Sequence, residues 1–250
     1  MDINKIVQEV VAEIGAKTYA ERPQSCREVC TYDVPGMLEH SLLVPDITMD
    51  KILEECSNAR RYDVAAVCVA PYFVSAAADA LQGSGVAVCA AIGFPHASMS
   101  AASKLAEAKE CLNNGADELD VALNMSAIKS GNMCDARADL EQIVGASLGR
   151  AKVKAVFEHC VYTDEEKRAI LSMIKDCGAE YIKIQNVLSG KGADVADIRY
   201  VKDILGRNIK IKIDGGVKTL EKAEELIAGG ADRIGLTATV AIAKEAYAAK

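Results

Sequence analysis

The chain has 250 residues, 50% of them hydrophobic, enough for the core of one domain. With 29 basic against 36 acidic residues and a net charge of −7, it is not built to hold the phosphate backbone of nucleic acid. The start is broken by charge every few residues and no later run is long enough to span a membrane, so neither a signal peptide nor a membrane partner is expected. The expected location is the cytoplasm.

The nine cysteines are an odd number scattered through apolar runs, without the close pairs of zinc ribbons or redox motifs, and read as reduced, mostly buried thiols. Residues Ile3 to Ile14 carry an amphipathic pattern, a helix expected to cap the bottom of the fold, and Tyr19 to Asp33 reads as a polar connection. From there, short apolar runs alternate with amphipathic stretches. The strand-like runs are Met37 to Val44, Ala65 to Ala70, Val86 to Phe94, Glu118 to Leu123, Val153 to Cys160, Tyr181 to Gln185, Ile209 to Ile213 and Arg233 to Leu236. Helical spacing of three and four fills the gaps, as over Ser103 to Asn113, Asp164 to Cys177 and Leu220 to Ala228.

Three helices end on the same punctuation, Asn-Gly-Ala at 114 to 116, Cys-Gly-Ala at 177 to 179 and Gly-Gly-Ala at 229 to 231, where glycine supplies a left-handed cap before the next strand. Eight such units in 250 residues predict an α/β fold, a closed (β/α)₈ TIM barrel with an N-terminal capping helix. The chain divides into helix and connection over 1–35 and barrel over 36–250, in a single domain. Ala, Val, Ile and Leu with little aromatic content fit a barrel packed with layers of small branched side chains. An open doubly wound sheet is the alternative, but no GxGxxG follows the first strand.

The active site of such a barrel lies at the C-terminal ends of its strands, so polar residues inside strand runs are the ones to question. Lys183, Lys212 and Asp120 are such residues. Burial and a neighbouring cation both depress a lysine pKa, and two inward lysines on strands six and seven would supply the neutral amine that attacks a carbonyl, with Asp120 moving protons. The alternatives are a strand-end lysine with its ammonium in solvent, as Lys210 is read, and a carboxylate that only neutralises a lysine. Gly215, Gly216, Val217 and Lys218 after strand seven, with Gly235 and Thr237 at strand eight, sit where barrels hold a substrate phosphate; a plain turn is the competing reading.

Leu-Glu-His-Ser-Leu-Leu at 38 to 43 with Pro45-Asp46, Ala66-Val-Cys-Val-Ala-Pro, Ala91-Ile-Gly-Phe-Pro, Gly115-Ala-Asp-Glu-Leu-Asp-Val with Asn124, Lys129-Ser-Gly, Glu158-His-Cys and Gly215-Gly-Val-Lys-Thr stand in an order that resembles the deoxyribose-phosphate aldolase family. The resemblance implies a metal-independent class I aldolase, a lyase with no cofactor. It would condense acetaldehyde with glyceraldehyde 3-phosphate, reversibly, to 2-deoxyribose 5-phosphate. Lys183 would be the Schiff-base lysine, Lys212 the lysine that lowers its pKa and Asp120 the proton relay. The partners implied are a small-molecule sugar phosphate and an aldehyde, in a homo-oligomer. Glu39, Cys68, Asn124, Glu158, Gln185, Asn186 and Gly190 are candidate pocket residues.

The sequence departs from the family in the bulky loop from Ile184 to Lys191, in Thr237-Ala238-Thr239 in place of a serine pair, in His96 and His159, and in Val44. These changes concern the pocket wall, so another sugar phosphate or carbonyl donor is the alternative substrate. A metal-dependent lyase using His40, His96 and His159, and a barrel that binds sugar phosphates without turning them over, are the two remaining readings.

Overall fold

The computed structural model describes residues 32–95, 97–192, 194–206 and 209–248. The expected N-terminal helix, the connection up to residue 31, Cys26, Cys30 and His96 lie outside these residues.

Eight parallel strands close into a barrel in sequence order, β1 pairing with both β2 and β8. They are β1 Leu38–Leu42, β2 Ala66–Val69, β3 Ala87–Ile92, β4 Glu118–Ala122, β5 Lys152–Glu158, β6 Tyr181–Gln185, β7 Lys210–Asp214 and β8 Arg233–Leu236. Around them run α1 Met49–Arg61, α2 Val74–Leu81, α3 Ala101–Asn113, α4 Met125–Lys129, α5 Met133–Ser147, α6 Asp164–Asp176, α7 Val195–Leu205, α8 Leu220–Gly229 and α9 Thr239–Ala248. The expected barrel is therefore present. Strand ends differ by a residue or two where local geometry intervenes: Gly93, at φ +72°, stops β3 before Phe94, and His159 and Cys160 enter a single helical turn after β5.

Helix starts are fixed by side chains that accept orphan backbone N–H groups, Thr48 from Lys51 and Ser100 from Ser103, with a reciprocal Thr163 and Glu166 capping box at α6. The three repeated glycines, Gly115, Gly178 and Gly230, all have the positive φ that the reading of their repeats requires. Among the described residues, no helix is long and apolar enough to cross a membrane.

The packing corrects one expectation. The branched apolar residues, such as Leu119, Val153, Ile182, Ile211 and Ile234, form one continuous core with apolar residues of the helices, including Ile52, Leu140, Ile170 and Leu226. A separate small cluster holds Cys68, Cys89 and Ala91. The interior is otherwise given to charge, because each strand alternates faces and the inward positions carry Glu39, Glu118, Asp120, Lys154, Lys183, Lys212 and Arg233, all buried. Small residues leave room for long ionic side chains, and burial of so many charges requires that they pair.

Candidate active site

Register brings the charged residues together. Asp120 lies opposite Lys154 across β4 and β5, and Lys183 lies opposite Lys212 across β6 and β7. Asp120 is the hub. Its Oδ2 accepts from Lys183 Nζ at 2.9 Å and from Lys212 Nζ at 2.5 Å, while its Oδ1 accepts from Lys154 Nζ at 3.0 Å and from the Cys89 thiol at 3.2 Å. Lys212 also donates to Glu39, and Lys154 pairs with Glu39 at 3.1 Å and with Glu118 at 2.6 Å. Arg233 continues the column toward the other end of the barrel, bridging Glu39 at 3.3 Å and Glu118 at 3.2 Å.

The three residues expected to do chemistry are thus in direct contact, but the electrostatics differ from the expectation. Burial by itself would depress the Lys183 ammonium, yet Asp120 and Asp214 outweigh it and hold the pKa well above the ordinary lysine value. Asp214, at the end of β7, places its Oδ2 2.8 Å from Lys183 Nζ. Lys212 is also raised, burial being overcome by Asp120 and Glu39 against the repulsion of Lys183 and Lys154. Burial would raise the Asp120 carboxyl, but Lys154, Lys183 and Lys212 hold it well below its usual range. The resting site is a lattice of ion pairs, with Lys183 protonated.

Lys183 stands at the base of a cavity of about 600 Å³ at the C-terminal ends of the strands, walled by Ser41, Leu43, Phe94, Pro95, Met125, Ser126, Lys129, Glu158, Gln185, Leu188 and Asp214. Its ammonium lies 5.0 Å from the centre of the Phe94 ring. Glu158 accepts from the Gln185 amide, and burial pushes its carboxyl pKa up. The bulky loop after Lys183 contributes Leu188 to this wall and continues to Gly192, which packs so closely on Gly216 that a Cβ there would sit 3.0 Å from the Gly192 Cα.

Other expected residues are distributed differently. Glu39 and Cys68 lie deep in the interior, Cys68 Sγ being 3.8 Å from Asp120 Oδ2. Asn124 caps α4 by accepting from Ala127 N–H at 3.0 Å, and so positions Met125, Ser126 and Lys129. Asn186 turns to α7, donating to Asp197 at 2.6 Å, and Gly190 is exposed in a turn. Of the residues expected to hold phosphate, Gly215 and Gly216 are consecutive left-handed residues at the end of β7, Val217 is buried and Lys218 is exposed. Gly235 lies within β8, where a Cβ would come 2.9 Å from the Asp214 carboxyl and the Lys212 Cε. Thr237 faces a second hollow of about 390 Å³ with His40, Asp46 and Lys51; the two hollows share Ser41.

The described histidines are engaged elsewhere. His40 shares hydrogen bonds with Thr239 at 2.9 Å and Glu55 at 3.0 Å, and His159 pairs with Asp197 at 2.9 Å. Possible metal donors converge instead at Glu39, Cys68, Cys89 and Asp120, within 4.8 Å of one another. This set does not suit a cation: its carboxylates already hold ammonium groups, and burial pushes the Cys89 thiol well above its usual pKa.

Sequence reasoning did not single out Lys154, Glu118, Arg233 or Asp214. Lys154 carried the same signal as Lys183, a charge enclosed in an apolar strand run. Asp214 stood only at the head of the glycine-rich segment expected to hold phosphate, with a plain turn as the competing reading.

The deoxyribose-phosphate aldolase of Staphylococcus carnosus is 39% identical to this chain over 210 residues, 84% of this chain and 95% of that protein. Its counterpart from Clostridium tetani is 34% identical over 213 residues, 85% and 99% of the two chains. Among solved structures, the aldolase QR15 matches with a TM-score of 0.81 at 31% identity, covering 85% of this chain and 95% of its own. No family model matches. Identity at this level over nearly the whole length of the relatives means that the chain belongs to the deoxyribose-phosphate aldolase family.

Proposed function

We propose that the protein reversibly cleaves 2-deoxy-D-ribose 5-phosphate to acetaldehyde and D-glyceraldehyde 3-phosphate through a Schiff base on Lys183. The observation that carries this reading is a lysine at the base of a cavity at the C-terminal ends of the strands, held at 2.9 Å by the buried carboxylate of Asp120. The substrate carbonyl enters above Lys183 and forms the imine there; the electron pair of the carbon–carbon bond one position away then moves toward the imine to leave an enamine, while the hydroxyl on the departing carbon gives its proton to water and becomes the carbonyl of the released aldehyde. The Lys212 ammonium adds positive charge beside Lys183, and this repulsion opposes the pull of Asp120 and Asp214 and favours release of the Lys183 proton. Backbone around Gly215 and Gly216, with Lys218, is the proposed seat of the phosphate. Thr237 and Gly235 belong to the same proposed seat, none of whose residues lines the cavity over Lys183 itself.

This reading needs no metal. Its partners are a sugar phosphate and an aldehyde, and association with further copies of the chain is proposed from the family resemblance alone.

A coupled assay for glyceraldehyde 3-phosphate, with 2-deoxyribose 5-phosphate beside other deoxy-sugar and ketose phosphates, tests the substrate. Turnover of 2-deoxyribose 5-phosphate well above the others is expected. Turnover of another sugar phosphate alone would replace the substrate and leave the Schiff base standing.

A further inference from the structure

Two carboxylates touch the Lys183 amine, and they are unlike in every respect that matters for proton transfer. Asp120 is fully enclosed and shared among three ammonium groups, those of Lys154, Lys183 and Lys212. A carboxylate so surrounded binds a proton poorly. Asp214 stands on the cavity wall with its side chain 16% exposed, and among the described residues its ion pair is with Lys183 alone. Its position is built: β7 and β8 pair Asp214 with Gly235, and the missing side chain of Gly235 gives the carboxyl group its place beside Lys212 Cε and over Lys183.

Charge balance points the same way. Within the buried column, Glu39, Glu118 and Asp120 face Lys154, Lys183, Lys212 and Arg233, so the interior carboxylates are one short of the cations. Asp214 is the fourth, and it is the one open to the substrate.

We propose that Asp214 is a catalytic residue: the base that takes the proton from the Lys183 ammonium and the acid that returns it to the hydroxyl leaving the carbinolamine. The proposal rests on the Schiff-base reading given above. In the first step the Lys183 N–H bond breaks, an O–H bond forms on Asp214, and the ammonium becomes a neutral amine. The amine lone pair then bonds to the carbonyl carbon while the C=O π pair moves to oxygen, and a second proton passes from nitrogen to that oxygen. In the last step the Asp214 proton moves to the hydroxyl, the C–O bond breaks to release water, and the nitrogen lone pair forms the iminium double bond. The product iminium carries the single positive charge with which Lys183 began, and it faces the regenerated carboxylate.

The test is the rate of imine formation on Lys183, read by borohydride quenching of the protein with acetaldehyde at successive times across the neutral pH range. Asp214→Asn keeps the shape and removes the base. We expect trapping and kcat to fall at least about 10²-fold, as for loss of a general acid–base group, with the adduct on Lys183 still reached at long times. Asp214→Glu should recover part of the rate.

The contrary outcome is distinct in sign. If Asp214 only holds Lys183 as an ammonium, its removal lowers the lysine pKa and the Asn variant traps acetaldehyde as fast as the wild type or faster, with the rise in rate moved to lower pH. That result would overturn the proposal. A wild type that forms no adduct would instead remove the Schiff-base reading beneath it. Asp214→Ser, with circular dichroism on each variant, guards against loss of fold.

Discussion

Replacing Lys154 by methionine is the sharpest trial of the buried ionic column. The substitution keeps most of the side-chain volume, so packing alone should cost under about 1.5 kcal/mol. Charge is the larger matter. Lys154 is fully buried and lies within 3.1 Å of Glu39, 2.6 Å of Glu118 and 3.0 Å of Asp120. Each retains another cation, Arg233 for Glu118, Lys212 with Arg233 for Glu39, and Lys183 with Lys212 for Asp120. The loss is therefore one uncompensated buried charge rather than three, on the order of 3–5 kcal/mol. At about 2–4 °C per kcal/mol for a domain of this size, the midpoint of thermal unfolding should fall by roughly 6–20 °C.

Guanidinium unfolding measures the free energy directly, and a double cycle with Glu118→Gln gives the coupling. Because the pair variant restores charge balance, the two substitutions together should cost less than their sum by about 0.5–3 kcal/mol. A Lys154→Met protein within about 1 kcal/mol of wild type, or strict additivity with Glu118→Gln, would refute the reasoning, since either would mean that the contacts carry little energy.

Two other perturbations probe neighbouring parts of the account. Gly235→Ala puts a Cβ 2.9 Å from the Asp214 carboxyl and the Lys212 Cε, so it should cost about 1–3 kcal/mol by overpacking and lower kcat by displacing Asp214; paired melting and rate measurements check both, and unchanged values would count against the placement. Acid should weaken the fold through Glu39. Burial would raise its carboxyl pKa, but Lys154, Lys212 and Arg233 hold it at about 2 against 4.5, so its stabilisation is present above pH 4.5 and lost as the pH falls toward 2. Urea titrations should show Glu39→Gln less stable near neutrality, with the gap to wild type closing over that window. A gap independent of pH would contradict this.

The fold was legible because strands in a closed barrel are enclosed on both faces, which makes their apolar runs stand out and makes any charge within them conspicuous. That logic reached Lys183, Lys212 and Asp120, and it applied equally to Lys154 in Lys152-Val-Lys-Ala-Val. The sign of the lysine pKa shift was not legible, since it depends on how many carboxylates converge from other strands. Glu39 on β1, Glu118 on β4 and Asp214 on β7 are far apart in sequence and meet only through register and closure. Asp214 was hidden for a different reason: an aspartate before two glycines is ordinary turn chemistry, and only its 2.8 Å contact with Lys183 distinguishes it. Lys104 shows the same limit on a helix, where a lysine reads as solvent-facing, yet it is fully buried against Asp139 and donates to the Ala122 carbonyl at 2.9 Å.

Whether Lys183 forms the covalent intermediate is read by peptide mass spectrometry after borohydride reduction of the protein with acetaldehyde. A reduced ethyl adduct on Lys183 is expected as the dominant product, absent from Lys183→Met. An adduct on Lys212 or another lysine in its place, or no adduct from an enzyme that turns over its substrate, would contradict it.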